Sequence, residues 1–138
     1  MITASSLERV PTHTASWINE RISMETRQSI QKYRQALPED RERRLRELEQ
    51  EWDVERAIEA NAAVFSLAGL ALAVTVNRRW LALPVAVGGF LLQHAIQGWC
   101  PPLPFFRRLG FRTPHEIDEE RLALQSQQDL AECEAPGA

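Results

Sequence analysis

The stretch Ala60–Trp99 reads ANAAVFSLAGLALAVTVNRRWLALPVAVGGFLLQHAIQGW, and its only ionisable side chains are Arg78, Arg79 and His94. Ala60–Val76 carries no charge, and a helix begun at Ala57 gives a first span over 57–76. Asn77, Arg78 and Arg79 make a turn, and Trp80–Trp99 is a second span without formal charge, over 80–99. A bilayer core of roughly 30 Å needs about 20 helical residues, and both segments meet that length. On a helix Trp80 and Trp99 lie about 28 Å apart, at the two aromatic belts. Pro84 falls in the first turns of the second span, where its missing N–H matters least. The fold expected is an all-α membrane protein, a two-span transmembrane helical hairpin with amphipathic cytoplasmic helices on both sides. The competing reading is a buried helical hairpin inside a soluble α-domain. It requires other apolar surface to wrap the pair, and the flanks offer only thin stripes of it.

Of the 138 residues 44% are hydrophobic and 25% charged, with a mean hydropathy of −0.32. Those averages suit a soluble protein and conceal two polar arms around one apolar centre. A net charge of −3 supplies no basic field to recruit nucleic acid. Residues 1–15 hold no apolar run of the length a cleavable signal peptide needs. Arg41, Arg43, Arg44, Arg46 and Arg56 precede the first span, Arg107, Arg108 and Arg112 follow the second, and the turn holds Arg78 and Arg79. That imbalance places both termini in the cytoplasm. The chain divides into a cytoplasmic helical arm over 1–52, the hairpin with an interfacial exit segment over 53–112, and a C-terminal cytoplasmic helix and tail over 113–138.

Ala62, Ser66, Gly69 and Ala73 recur at helical spacing along the first span, as do Ala82, Ala86 and Gly89 along the second. Each set draws one stripe, and small residues let helix backbones approach in lipid. These are the expected packing faces. Asn61 falls at the depth of Gln93, His94 and Gln97 in an antiparallel pair, so an intramembrane polar cluster with Asn61 bonding across is expected. Trp80, Trp99, Arg107 and Arg108 are candidate interfacial anchors. An ionisable residue inside a span is a functional candidate, yet His94 reads more simply as a neutral, hydrogen-bonded histidine. Cys100 is the candidate reactive thiol, since Arg107 and Arg108 nearby would lower its pKa. It reads more simply as a small, tolerant residue at a helix end, since no resolving thiol accompanies it, and Cys133 sits in a polar tail. A metal site from His94, Cys100 and His115 has neither the spacing nor the carboxylates, so neither cofactor nor metal is expected.

In the N-terminal arm Ser16 caps a helix through Trp17, Ile18, Ile22, Ile30, Tyr33 and Leu37. Pro38 opens another, in which Glu39/Arg43, Asp40/Arg44 and Glu42/Arg46 are i,i+4 pairs and Leu45, Leu48 and Trp52 form a narrow apolar edge. Nothing stops this helix before the first span, so the two can run on continuously. Beyond the second span Cys100-Pro-Pro-Leu-Pro ends the helix. Leu103, Phe105, Phe106, Leu109 and Phe111 alternate with Arg107, Arg108 and Arg112, which suits a segment lying in the interface with guanidinium groups on phosphates. Thr113, Pro114 and Glu116 make a capping box. Its helix carries Ile117, Leu124 and Leu130 and fades before Pro136.

Asp53-Val-Glu-Arg56 before the first span, the short turn, and Leu91-Leu-Gln93 leading to Gly98-Trp-Cys-Pro101 resemble the YgaP-like transmembrane domain family. Leu109-Gly-Phe-Arg-Thr113 is similar to that family's exit segment. The resemblance covers about residues 53–125 and departs at Asp53, where the family has Asn, and at Trp99, where it has Phe. It implies a small multi-pass protein of the bacterial inner (cytoplasmic) membrane with a link to sulfur metabolism, in a family some of whose members are fused to rhodanese and which has no assigned activity of its own. No rhodanese active-site loop is present, so sulfur transfer is not carried over. The function expected is therefore non-enzymatic, with the lipid bilayer as partner and action by self-assembly as a homo-oligomer or as an accessory subunit. The alternative is a membrane component of persulfide metabolism using Cys100 as relay or sensor. An anion pore ranks last, because two spans form no conduit unless several copies assemble.

Overall fold

The computed structural model describes residues 8–134. They form α1 (Arg9–Thr12), α2 (Ser16–Arg34), α3 (Pro38–Gln50), α4 (Val54–Thr75), a 3-10 turn (Arg78–Leu81), α5 (Ala82–Gln97), α6 (Leu103–Arg108) and α7 (Pro114–Glu134), with no strand among them. The expected fading before Pro136 lies outside the described residues.

The helix boundaries follow from local chemistry. Pro38 stands in the first turn of α3, with Glu39 and Asp40 behind it at the positive end of the helix dipole. Thr113 and Glu116 close the capping box reciprocally: the Thr113 N–H donates to Glu116 Oε2 at 2.7 Å, and the Glu116 N–H to Thr113 Oγ1 at 3.2 Å. Ser16 does not cap α2; it is the first helical residue, and Ala15 precedes it without a side-chain bond. Nor do α3 and α4 run on as one helix. Asp53 restarts the chain by accepting the Arg56 N–H at 2.7 Å, and the Val54 N–H, another donor orphaned at a helix start, is taken by the Arg112 carbonyl at 2.8 Å.

The polar arms on either side of the apolar stretch pack together into one base. α2 and α3 both lie against α7, around Leu48, Ile117 and Leu124, with Tyr33 and Leu45 at the edge. A second cluster, Val10, Val54, Ile58, Cys100 and Leu103, roots the start of α4 and the segment after α5. Trp99, Phe106 and Phe111 pack on it. The exit segment therefore does not lie flat with all its rings outward: Leu103 is fully buried while Phe105 and Leu109 stay exposed. Gly98 adopts φ +74 at the end of α5 and returns its N–H to the His94 carbonyl at 2.7 Å. A Cβ there would stand 2.4 Å from Arg9 Cβ, so glycine serves both the left-handed backbone and the passage of α1 across it.

α4 and α5 leave the base side by side. The pair includes two helices long and apolar enough to cross a membrane. The less exposed side of α4, with Ala62, Ser66, Gly69 and Ala73, is the side turned to α5. Gly69 is a point of close approach: a Cβ on it would lie 2.6 Å from Pro84 Cδ and 3.1 Å from Leu83 Cβ. The opposing face is not the small-residue stripe of α5. Ala82, Ala86 and Gly89 are exposed, and a Cβ on Gly89 would meet nothing within 4 Å. Leu83, Pro84, Val87 and Leu91 occupy the seam instead. Knobs on one helix fill the notch that glycine leaves on the other.

A valine at position 69 must push Pro84 and Leu83 aside, whereas one at position 89 enters open space. Gly69→Val is expected to destabilise the monomer in detergent by about 1–3 kcal/mol and Gly89→Val to leave it nearly unchanged, as read by thermal unfolding.

Candidate functional site

Among the described residues three places that concentrate polar or reactive groups stand out, and each is built by residues distant in sequence. In the base, Glu120 has no exposed surface. Its Oε1 accepts Arg44 Nε at 2.9 Å and the Ser29 hydroxyl, and its Oε2 accepts Arg112 Nη1 at 2.6 Å. Arg112 turns its other edge to Glu51 in a two-bond fork of 2.7 and 2.6 Å and also reaches Thr26. Beside this network Arg107 is fully buried. It makes a fork of 2.7 and 2.9 Å with Glu116 and donates to Asn19 Oδ1 and the Phe111 carbonyl. Burial alone would raise the carboxyl of Glu120, but hydrogen bonds from Arg44, Ser29 and Arg112 outweigh it and hold it below its ordinary pKa. Glu116 is likewise depressed, its desolvation outweighed by Arg107 and Thr113. Arg44 and Arg112 are desolvated as well, and their carboxylates more than compensate and raise them.

This arrangement corrects the interfacial role of Arg107 and of Arg112: neither guanidinium reaches outward to phosphate, because the i,i+4 carboxylates of α7 claim both. It also redirects Arg44, which leaves Asp40 for Glu120. Asp40 binds Arg43 at 2.7 Å, and of the three i,i+4 pairs expected on α3 only Glu42–Arg46 is present, at 4.0 Å. Trp80 is exposed in the 3-10 turn, while Trp99 lies beyond the end of α5 and packs against the Cys100 cluster. Of the four expected anchors, Trp80 and Arg108 are exposed, Trp99 is half-buried and Arg107 is buried.

The second place is a cavity of about 400 Å³ between α4 and α5, where Asn61, Phe65, Val87 and Phe90 meet Cys100 and Pro101. Cys100 is 1% exposed. Burial pushes its thiol pKa up, and a hydrogen bond from the Leu103 backbone offsets only part of this. The direction is opposite to the activation expected from Arg107 and Arg108, and its cause is desolvation. A protonated thiol is a poor nucleophile.

The third place is a cavity of about 280 Å³ where His94 meets Glu55, Glu59 and Arg9. Arg9 Nη1 donates to the Ala95 carbonyl at 2.6 Å. His94 is not hydrogen-bonded as expected, for its Nδ1 is shielded and has no partner among the described residues. The expected polar cluster is thus divided. Asn61 opens into the Cys100 cavity and His94 into the other, Gln97 is exposed, and no hydrogen bond joins Asn61 to Gln93, His94 or Gln97 among the described residues. Helical spacing places residues at one depth without fixing the rotation of one helix against the other. No group of three or more metal-ligating side chains lies close enough to hold an ion among the described residues.

Comparison with family models, with curated proteins and with solved structures returned no match.

Sequence reasoning passed over Glu51, Glu116 and Glu120 as partners of Arg112 and Arg107. The available signal was the Glu116/Glu120 spacing, two carboxylates on one face of α7 among apolar Ile117 and Leu124. Glu120→Gln leaves two guanidinium groups around a neutral amide, and a loss of about 3 kcal/mol of stability is expected, measured by thermal unfolding. The depressed carboxylates give the pH dependence its sign. Their contribution is complete above the unfolded value of about 4.3 and is lost as pH falls through the lower folded values. An acid titration followed by circular dichroism should hold level through neutral pH and lose base helicity below about pH 4. Maleimide is expected to modify the exposed Cys133 in the native protein and to reach Cys100 only after denaturation, as read by mass spectrometry.

Proposed function

We propose that the chain is an integral membrane protein whose α4 and α5 cross the bilayer as a helical hairpin, and that it works without catalysis by assembling with further copies of itself. The observation that carries the membrane reading is the nakedness of the pair. Val64, Phe65, Leu67, Leu70 and Val74 on α4 and Val85, Phe90, Leu92 and Ile96 on α5 are all exposed, and no residue of α5 is buried. A core helix of a soluble protein would be covered. Leaving a side chain of this size in water forgoes roughly 1.5–3 kcal/mol each, and the base covers none of them. Above the rooted Ile58, α4 runs from Glu59 to Thr75, about 25 Å of helix. Residues 78–97 match it.

The base carries most of the flanking arginines, so it belongs on the cytoplasmic side together with both termini. The likeness to the YgaP-like family supports the bacterial inner membrane as the setting. Self-assembly is supported by the face of α5 that the intramolecular seam leaves open: Ala82, Ala86 and Gly89 present a flat strip over which a second backbone can approach closely. The buried, protonated Cys100 lends no support to a persulfide relay.

Gly89→Cys, in a Cys133→Ser background, is expected to give dimers on oxidation in native membranes, while a cysteine at Gly69 should not. Gly89→Val should reduce the association. A chain that remains monomeric in every case would overturn self-assembly, and its release from membranes by alkaline carbonate would overturn the membrane reading.

A further inference from the structure

We propose that Trp17, Arg21, Phe105, Arg108 and Leu109 form one patch that lies in the membrane interface and binds the phosphate of anionic phospholipids in the base-side leaflet. The proposal rests on the membrane reading above.

Two segments far apart in sequence build the patch. Arg21 Nη2 donates to the Arg108 carbonyl at 2.8 Å, which joins the opening turns of α2 to the end of α6. The same guanidinium lies 5.8 Å from the centre of the Trp17 ring. On α6, Leu103 is fully buried and Phe106 packs inward, while Phe105 and Leu109 turn away and are 61% and 60% exposed. Trp17 is 54% exposed. A six-residue helix with apolar groups on opposite sides faces two apolar environments, and the base supplies only one.

Position and charge identify the other. Five residues, Gly98–Pro102, connect the end of α5 to α6, and Arg9 in α1 is bonded to the last turn of α5. α2 begins four residues after α1 ends. Both halves of the patch therefore sit where the apolar pair enters the base. Among the described residues the Arg108 side chain has no ion pair or hydrogen bond, and Arg21, beside its bond to the Arg108 carbonyl, meets a carboxylate only loosely, exposed Glu25 at 3.9 Å. By contrast Arg107 and Arg112 are committed to carboxylates. Aromatic and aliphatic groups seated at the acyl boundary, with guanidinium groups just above them, match a lipid phosphate bonded to arginine. A lipid whose phosphate lacks its own cationic headgroup is the one favoured, because each exposed cation near an anionic surface strengthens binding by about fivefold.

The test uses the full chain with a single tryptophan, either Trp17 or Trp80, the other three being replaced by Phe. Each form is reconstituted in phosphatidylcholine vesicles with and without phosphatidylglycerol, with bromine on the lipid chains close to the headgroup. Trp17 fluorescence is expected to be quenched, more strongly with phosphatidylglycerol, and Arg21→Gln with Arg108→Gln should lower the phosphatidylglycerol preference by an order of magnitude or more. Retention of phosphatidylglycerol in native mass spectra should fall in the same variant. Quenching of Trp80 without quenching of Trp17 would overturn the patch while leaving the membrane reading intact. Equal quenching of Trp17 in both lipids would overturn the choice of anionic headgroup. Absence of quenching at both positions would remove the membrane reading and this proposal with it.

Discussion

Glu120 has no contact with solvent and sits between the guanidinium groups of Arg44 and Arg112. Those arginines come from α3 and from the segment just before α7, and Arg112 in turn grips Glu51 at the end of α3. A carboxylate stripped of water is tolerable only when its charge and lone pairs are met by well-placed donors. Because the donors come from both halves of the chain, satisfying this one group brings the two ends together. The Arg112 backbone carbonyl then receives the Val54 N–H, so the residue that completes the ionic network also fixes the start of α4. The direction in which the apolar pair leaves the base is set here.

The apolar pair obeys a different logic. There is no charge to organise it, and its seam is decided by shape, with Gly69 making a notch that Pro84 and Leu83 fill. Bulk on one helix against a gap on the other packs without voids. The asymmetry leaves the small face of α5 turned outward, and it separates Asn61 from His94 into different cavities.

What the sequence disclosed was whatever depended on neighbours along the chain. The lengths of the apolar segments, the start of α3 at Pro38 and the Thr113/Glu116 box are local, and each can be read from a handful of adjacent letters. The break between α3 and α4 was equally local: Asp53 is a good cap, and its role passed unread because no proline or glycine marked the end of α3. Arg107 and Arg112 were a different matter. Their alternation with Phe105, Phe106 and Phe111 has the spacing of a surface segment, and nothing in that spacing tells that Glu51, 61 residues earlier, closes on Arg112. For α5, periodicity draws the stripe of Ala82, Ala86 and Gly89 correctly as a stripe, yet the same period passes through Leu83, Val87 and Leu91. Only the shape of the partner helix chooses between them.

The crossing of Arg9 over Gly98, sealed by the bond from Arg9 to the Ala95 carbonyl, has a consequence for how the protein is made. Chains emerge from the ribosome amino end first, so the earliest described turn has no seat until nearly ninety later residues have been translated. Through that interval α2 and α3 wait without α7, with Arg44 lacking Glu120 and Glu51 lacking Arg112. A nascent chain stalled before α7 would therefore display an unfinished base.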